Sequence, residues 1–260
     1  MQAASFDNYA QQYDEHFTFS PVGWLQRKAV YDYLLPLLNK EVSVLEINCG
    51  TGYDAFEIVK YVKEVLATDA SSKMIEQCEI KNKAAKNISF KVKPIQQLQE
   101  EIKNTNFIFS NFGGLNCLSP QDLAAFSKKC NTILNKEADL FFVIMGRKCI
   151  WERLYFKIKG DPKKAIRRQS KEGIDTVING SEFTTWYYSP KEIQDFFTSG
   201  YKTQHISGVG LFVPPSYLNP FFANKKILLK LFNGLDKVFC KFKWTANYAD
   251  HYIIHLTKIN

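Results

Sequence analysis

The feature that most constrains this sequence is a regular alternation of short apolar runs with amphipathic segments. The first run, Val42 to Ile47, is rich in β-branched residues and leads through Gly50 and Gly52 into a helical pattern. The same order recurs as far as an apolar run that ends at Met145. Strands that alternate with helices predict an α/β domain, in which helices cover both faces of a mainly parallel sheet.

The spacing of apolar residues predicts where the later elements lie. Besides the first run, strands are predicted at residues 64–68, 88–92, 106–110, 140–145, 202–207 and 252–258. Helices are predicted at residues 23–38, 54–62, 72–86, 96–102, 120–134 and 190–199. Ser119 is the expected N-cap of the helix that begins at Pro120, because its hydroxyl can accept a hydrogen bond from a free backbone N–H.

Two stretches, residues 147–188 and 211–250, interrupt the alternation and are predicted to be insertions. The first is basic at its start and then carries a hairpin signal with an Asn-Gly turn, at residues 176–183. The second contains an amphipathic basic helix near residues 225–243. We expect this helix to pack its apolar face on the protein. Contact with a membrane surface, or a cover over an apolar substrate tunnel, are the alternatives.

The charge balance and the cysteines narrow the class of protein further. The formal net charge of +8 allows an anionic substrate, a membrane surface or nucleic acid as partner, although many enzymes are as basic. None of the six cysteines forms a Cys-x-x-Cys pair, so no metal site is expected. The sequence shows neither a signal-peptide pattern nor an apolar run of about 18 residues, and we therefore expect a cytoplasmic protein without a transmembrane segment.

A carboxylate follows the second predicted strand and complements the glycine turn. Ligands of open α/β sheets bind at the carboxyl ends of the strands, where glycines let the backbone approach closely. Asp69 lies at this edge, and a carboxylate there can accept hydrogen bonds from both hydroxyls of a ribose. A nicotinamide-binding fold uses the same two features, and Asp69 could instead cap the helix that begins near Ser72.

Four segments of the sequence resemble motifs of the class I S-adenosylmethionine-dependent methyltransferases. The segments are Glu46 to Gly52 for the first motif, Asp69 to Ile75 for the acidic loop, Phe109 to Asn116 for the fourth-strand motif and Phe6 to Asp14 for the lid helix. The resemblance covers roughly residues 1–145, the final helix and the last two strands. It implies a Rossmann-like, doubly wound sheet of seven mainly parallel strands with an antiparallel last strand, and S-adenosylmethionine as cofactor.

The resemblance also implies how the chain is divided. Residues 1–40 would form an N-terminal lid and helix. The cofactor-binding core would consist of residues 41–146, 189–210 and 251–260. The insertions, residues 147–188 and 211–250, would form a substrate cap.

A cofactor site follows from the resemblance residue by residue. Glu46 would meet the amino group of the methionine part, and Asp69 would hold the ribose. The other cofactor contacts implied are Asn48, Gly50, Gly52, Ala70, Met74, Ile95, Gln96, Asn111, Phe112 and, from the lid, Tyr13. Asn48 stands where the family usually has glycine, and Pro94 stands where it has an acid that binds adenine. Adenine recognition would therefore pass to the Ile95 backbone and Gln96.

The insertions and the strands beside them supply the candidates for the substrate site. Aromatic side chains line small-molecule pockets, and those predicted to bind substrate are Tyr9, Trp151, Trp186, Tyr188 and Phe212; the alternative is that they pack the cap. Arg147 follows the fifth predicted strand and is a candidate for an anionic substrate group, or else forms a surface ion pair. His205 is the candidate general base, with a structural role as the alternative.

The function predicted from these features is S-adenosylmethionine-dependent methyl transfer to a small-molecule or lipid-like acceptor by in-line displacement. The cofactor carries the activated methyl group, so a base is needed only where the nucleophile holds a proton. The alternatives are an RNA methyltransferase, a catalytically silent scaffold of the same fold and, more distantly, a nicotinamide dehydrogenase. The residues after Asn111 are Phe-Gly-Gly, which departs from the amino-methylation motif Asn-Pro-Pro-aromatic and argues against nucleic acid as partner.

Overall fold

The structure is a computed structural model that describes residue 14 and residues 18–82, 85–178 and 181–259. The strands are β1 Ser43–Ile47, β2 Glu64–Asp69, β3 Ile88–Val92, β4 Phe107–Ser110, β5 Asp139–Met145, β6 Ile174–Ile178, β7 Ser181–Thr185, β8 Tyr201–Val209 and β9 His251–Lys258. The α-helices are α1 Pro21–Leu34, α2 Tyr53–Ile58, α3 Ser72–Lys81, α4 Glu100–Lys103, α5 Pro120–Ile133, α6 Ile150–Ile158, α7 Pro162–Ala165, α8 Pro190–Phe196, α9 Asn219–Phe222 and α10 Lys226–Phe239. Short 3₁₀ helices occupy Leu35–Leu37, Ile95–Gln97, Gly114–Cys117, Arg167–Gln169, Ser216–Leu218 and Lys243–Asn247.

Seven strands form one sheet in the order β3-β2-β1-β4-β5-β9-β8. Strands β1 to β5 run parallel, and β9 is antiparallel to both of its neighbours, β5 and β8. This arrangement confirms the predicted Rossmann-like fold with an antiparallel last strand. Because the strand order reverses between β1 and β4, the carboxyl ends of these two strands are where an open α/β sheet binds its ligand.

Most of the predicted elements are observed, and the helix starts agree best. Ser119 caps α5 as predicted, since its hydroxyl accepts a hydrogen bond from the Asp122 amide. The predicted hairpin is formed by β6 and β7. The predicted helix at residues 96–102 is wrong in form: it splits into a 3₁₀ turn and α4, because Leu98 takes extended backbone and is fully buried.

Apolar side chains fill both faces of the sheet. One core cluster, which includes Leu45, Ile47 and Phe142, packs under α5 and α8, and the other, which includes Val44, Phe107 and Phe109, packs under α1, α2 and α3. Alternate residues of β1 thus point to opposite faces, as expected for a strand that is covered on both sides.

A buried ionic network joins the two insertions to the core. Arg168 of the first insertion lies 2.8 Å from Glu152 and 2.9 Å from Asp250 at the end of the second. Gln26 of α1 donates to the same Asp250 carboxylate. Burial by itself raises the pKa of Asp250, but the neighbouring His251 and Arg168 lower it below its ordinary value.

Candidate functional site

A narrow cleft of about 30 Å³ opens at the carboxyl ends of β1 and β4, the edge that the strand order predicts. Loop residues after both strands, the start of α2 and α1 contribute to it. The lining residues are Thr18, Arg27, Asn48, Cys49, Gly50, Thr51, Tyr53, Asp54, Asn111 and Phe112.

The Asp69 carboxylate braces the glycine loop. One of its oxygens accepts from the Gly50 amide at 2.9 Å, and the other accepts from the Ser71 amide at the same distance. The N-cap of α3 is Ser71, whose hydroxyl accepts from the Met74 amide, so Asp69 does not cap this helix. Asp69 therefore holds the loop at the edge of the sheet where a ligand of this fold binds.

Asn48 occupies the left-handed backbone region with φ 57°, which asparagine tolerates better than most residues other than glycine. Its side chain packs against the loop after β4: a Cβ placed on Gly114 would lie 2.7 Å from the Asn48 Cβ. The Oδ1 atom of Asn48 is buried and has no hydrogen-bond partner among the residues described. Asparagine thus replaces the expected glycine without leaving the left-handed conformation, and it brings a free acceptor to the cleft.

A cluster of buried polar groups forms the floor of the cleft. Asp54 forms an ion pair with Arg27. Its carboxylate also accepts hydrogen bonds from the Tyr31 hydroxyl and, at 3.1 Å, from the side-chain amide of Asn111. The Arg27 guanidinium also lies over the Tyr53 ring, 4.8 Å from its centroid. Burial and the Asp54 carboxylate raise the pKa of Tyr31, which keeps it protonated as a donor.

Glu46 is the last polar side chain before the glycine loop and is almost fully buried. Within the described part of the chain its Oε2 atom has no hydrogen-bond partner. Burial, followed by the nearby carboxylate of Asp54, raises the pKa of Glu46 well above its ordinary value. A buried carboxyl group with an unpaired oxygen is costly in isolation, so this site is suited to a cationic or hydrogen-bond-donating ligand group.

The polypeptide that precedes α1 reaches over the glycine loop at Asp14. The Asp14 carboxylate accepts from the hydroxyls of Thr18 and Thr51 at 2.8 and 2.7 Å and pairs with Lys81 of α3. Burial raises the pKa of Asp14, but the hydrogen bonds from Lys81 and the two threonines outweigh burial and lower it below the ordinary value. We call this contact the Asp14 clasp.

Comparisons with known proteins agree with this geometry. A family model described as a methyltransferase domain matches residues 44–137, from β1 to the turn before β5. Residues 44–137 are therefore similar to a methyltransferase domain. A comparison with curated proteins finds no match.

Solved structures, among them proteins described as S-adenosylmethionine-dependent methyltransferases, share the fold of this chain. A methyltransferase of this kind from Listeria monocytogenes is 14% identical with a TM-score of 0.62, and covers 90% of this chain and 99% of that one. DhpI in complex with SAH is 15% identical with a TM-score of 0.62, at 99% and 95% coverage. The N-methyltransferase NodS from Bradyrhizobium japonicum is 11% identical with a TM-score of 0.55, at 92% and 98% coverage.

The residues at this edge of the sheet fit the S-adenosylmethionine that this fold family implies, although Glu46 of β1 and Asp69 of β2 are not among the residues that line the cleft. The unpaired Glu46 and Asn48 oxygens can accept from the cofactor's amino group, and the Arg27 cation matches its carboxylate. Asp69 at the end of β2 matches the ribose diol. The amino group, the carboxylate and the ribose of the cofactor therefore each have a chemically matching group at this edge of the sheet.

The predicted cofactor residues fall into two groups. Asn48, Gly50, Asn111 and Phe112 line the cleft, and Asp69 bonds its loop. Gly52, with φ 78°, packs so closely on α3 that a Cβ there would lie 2.9 Å from the Cys78 sulfur. The remaining predicted adenine contacts are a half-buried Ala70, buried Met74 and Ile95, and an exposed Gln96. Their contact with adenine stays a prediction, as does that of Tyr13, which lies outside the described residues.

The aromatic residues predicted to bind substrate are mostly packing residues. Tyr188 is a core side chain instead, because it is buried in the cluster under α8 and its hydroxyl donates to the Leu118 carbonyl. Trp151 donates from Nε1 to the Phe212 carbonyl and thereby ties α6 to the second insertion. Trp186 packs against the core cluster. Tyr9 lies outside the described residues.

The two predicted catalytic residues lie away from the cleft. His205 stacks on Tyr33 with ring centroids 4.0 Å apart, under α1, where burial and the nearby His255 lower its pKa. Arg147 lines a second cavity of about 350 Å³, and its guanidinium donates to both Glu192 carboxylate oxygens at 2.7 Å and to the Ser170 carbonyl. The alternative roles, structural histidine and ion pair, describe both residues better.

Sequence reasoning missed Arg27 and Asp54, which line the cleft, and Tyr31, which donates to Asp54. The other lining residues that it missed are Thr18, Cys49, Thr51 and Tyr53. Arg27 and Gln26 share the buried stripe of α1 with Val30 and Leu34. A charged residue within an otherwise apolar helical stripe is the signal that could have identified Arg27 as a site residue.

Proposed function

We propose that this chain transfers a methyl group from S-adenosylmethionine to a small-molecule or lipid-like acceptor. The observation that carries the proposal is the convergence of a buried, unpaired Glu46 carboxyl oxygen with Arg27 and Asp69 at one edge of the sheet. Buried polar groups are normally paired, so a site that leaves one unpaired is built for a polar ligand.

Residues of the chain take defined parts in holding the cofactor. Glu46 and Asn48 accept from its amino group, Arg27 faces its carboxylate and Asp69 accepts from its ribose hydroxyls. When bound, the cofactor supplies an activated methyl group on a sulfonium. The protein's part in the reaction is then to position the acceptor in line with that methyl group and to exclude water.

The acceptor side of the site is proposed to lie between Phe112 and His251. The His251 ring stands edge-on to the Phe112 ring with centroids 5.3 Å apart, at the carboxyl end of β5. Its Nδ1 atom lies 3.2 Å from the Asp250 carboxylate. The carboxylate lies close to this nitrogen without accepting a hydrogen bond from it. A histidine ring beside the cleft can take a proton, so His251 suits an acceptor that must be deprotonated.

Ligand-dependent thermal unfolding tests the cofactor site without knowledge of the acceptor. At about 100 times its dissociation constant, S-adenosylhomocysteine is expected to stabilise the protein by about 2.7 kcal/mol, or roughly 5–10 °C. NAD serves as the control ligand. Glu46→Gln keeps the volume of the side chain but removes the carboxylate, and Asp69→Asn does the same at the ribose position.

Both variants are expected to fold and to lose most of the S-adenosylhomocysteine shift. Asp195→Asn, an exposed aspartate on α8, is the matched control and should keep the full shift. Equal shifts with NAD, or a full shift in both site variants, would contradict the proposal. An unchanged melting temperature at millimolar S-adenosylhomocysteine would favour the silent scaffold instead.

A further inference from the structure

Helix α10 is apolar on two opposite sides. Leu229, on its inner side, is buried against Val22 of α1 and Val213. Ile227, Leu231 and Val238 recur at helical spacing on its outer side and are 88%, 58% and 57% exposed. Since the inner side already holds the helix on the protein, the outer apolar stripe has no part in folding, and its exposure needs another explanation.

The charges around this stripe are all of one sign. Each of the six lysines in residues 211–250 is exposed, and within the described residues none forms an ion pair: Lys225, Lys226, Lys230, Lys237, Lys241 and Lys243. The two acids of this insertion, Asp236 and Asp250, are both buried. Asp236 accepts from the Phe212 and Val213 amides, so neither acid offsets the positive surface.

The apolar exposure continues around α10. Phe221, Phe242 and Trp244 are more than half exposed. Helix α6 of the first insertion exposes another stripe, Ile150, Leu154 and Ile158, and lies beside α9 and α10 because Trp151 packs on Phe222 and Phe232. We call the outer surface of α6, α9, α10 and the 3₁₀ turn at Lys243–Asn247 the insertion face.

The charge of the whole chain is concentrated in the same two insertions. Residues 147–188 and 211–250 together contain 16 basic and 7 acidic residues, whereas the rest of the chain contains 18 basic and 19 acidic residues. The net charge of +8 therefore belongs to the insertions and not to the methyltransferase core.

We propose that the insertion face docks on an anionic lipid surface. Exposed aliphatic and aromatic side chains can enter the boundary between headgroups and acyl chains, while the lysines beside them face anionic headgroups. The docking is peripheral, since in the described part of the chain no helix is long and apolar enough to cross a membrane.

The other occupants fit this face less well. A two-fold symmetric dimer would bring the same patch of six lysines against itself, and the like charges would repel. A nucleic acid would meet the lysines, but it has no apolar phase to receive Ile227, Leu231 and Val238. The membrane docking does not depend on the methyl transfer proposed above.

Sedimentation with lipid vesicles tests the proposal on the full chain. We expect the protein to bind vesicles made of equal parts phosphatidylcholine and phosphatidylglycerol, and to bind phosphatidylcholine vesicles at least about tenfold more weakly. Binding should weaken between about 0.05 M and about 0.5 M sodium chloride. The variant Ile227→Glu/Leu231→Glu should lose at least about tenfold in vesicle affinity.

The matched control is Ile80→Glu/Val92→Glu, which adds the same two charges at exposed apolar positions on α3 and β3, at the opposite edge of the sheet. This control should bind anionic vesicles like the unchanged protein. Equal loss in both double variants, equal binding to the two vesicle types, or no binding to either would overturn the proposal. The proposal would also be overturned if single-stranded RNA removed the protein from vesicles at equal charge concentration. The same holds if the protein self-associates and only Ile227→Glu/Leu231→Glu abolishes the self-association. Circular dichroism and the S-adenosylhomocysteine shift, which should persist, report that both variants are folded.

Discussion

The α/β core and the two insertions differ in where they place their apolar and charged side chains. The core places its apolar side chains inside, in two clusters on either side of the sheet, and balances its surface charges almost evenly. The insertions bury carboxylates such as Glu152 and Asp250 and leave lysines and large apolar side chains outside. The insertions are therefore held on the core by this polar network together with the inner side of α10, while other apolar groups of theirs face outward.

The buried apolar clusters of the core provide stability, whereas the exposed groups of the insertions are available for contact with a partner. In the core, exposed large apolar side chains such as Ile80 and Val92 are scattered, whereas in the insertions they form contiguous stripes, and such a stripe is evidence of a partner.

Loss of Arg168 should destabilise the protein most, because it would leave the buried carboxylates of Glu152 and Asp250 without their shared cation. Arg168→Met is expected to lower the free energy of unfolding by about 3–5 kcal/mol in urea denaturation. Arg167→Met is the matched control: Arg167 pairs with the same Glu152 but is partly exposed, and its loss should cost about 1 kcal/mol or less. Similar costs for the two variants would show that the network does not hold the insertions.

Truncation of a leucine should have very different effects in the two regions. Leu45→Ala removes a fully buried side chain from β1 and is expected to cost about 2–5 kcal/mol of unfolding free energy. Leu231→Ala on the outer side of α10 should change it by no more than about 0.5 kcal/mol. A cost above about 1.5 kcal/mol for Leu231→Ala would mean that the protein covers this side chain in solution.

The Asp14 clasp should contribute a pH-dependent stability of about 1 kcal/mol. Because the folded state lowers the pKa of Asp14, its contribution is present above the ordinary value of 3.8 and is lost as the pH falls through the folded-state pKa. Asp14→Asn should thus be less stable at pH 7, and the difference from the unchanged protein should vanish in acid.

Lys81→Met is the companion variant for the clasp, because it removes the cation from the same pair. The double variant Asp14→Asn/Lys81→Met should be little less stable than either single variant. Strictly additive losses in urea denaturation would show that the two side chains do not interact.

Protonation of His205 should have the smallest effect on the free energy of unfolding, about 0.5 kcal/mol, because this histidine is only half-buried. Its pKa is lowered below 6.5 in the folded state, so the unfolded chain takes up the proton first as the pH falls. Stability is therefore lost below about pH 6.5. His205→Phe keeps the stacking on Tyr33 without a titrating group and should flatten the dependence of melting temperature on pH between 7.5 and 5.5. An unchanged slope would contradict the assignment.

The sequence predicts the core better than the insertions, and the reason is physical. Strand β3 lies where the spacing of apolar residues predicts it, and α5 begins at its predicted N-cap. Asp69 contacts the glycine loop, as expected for two neighbouring parallel strands. Local patterns decide these features because each depends on neighbours in the chain. Packing of the core then follows from the same patterns.

The rest of the site depends on residues that are distant in sequence. Arg27, Asp54 and Asn111 meet only once α1, α2 and the loop after β4 are packed together. Tyr188 looks like a pocket residue in the sequence but is a core residue, since burial of an aromatic ring depends on the element that covers it. The periodicity of apolar residues predicts which face of a helix or strand is buried, whereas only the tertiary structure shows which element covers that face.

The position of β9 bears on how this protein is made. Strand β9 follows β5 by more than a hundred residues, yet it lies between β5 and β8 in the sheet. Once the ribosome has produced the glycine loop, Asp69 and β5, most of the site has been made. The sheet beside it is still incomplete, because among the described strands β8 pairs with β9 alone. During synthesis β5 keeps an open apolar edge until residues 251–258 emerge, so the nascent chain is exposed to aggregation longest where the finished enzyme is most buried.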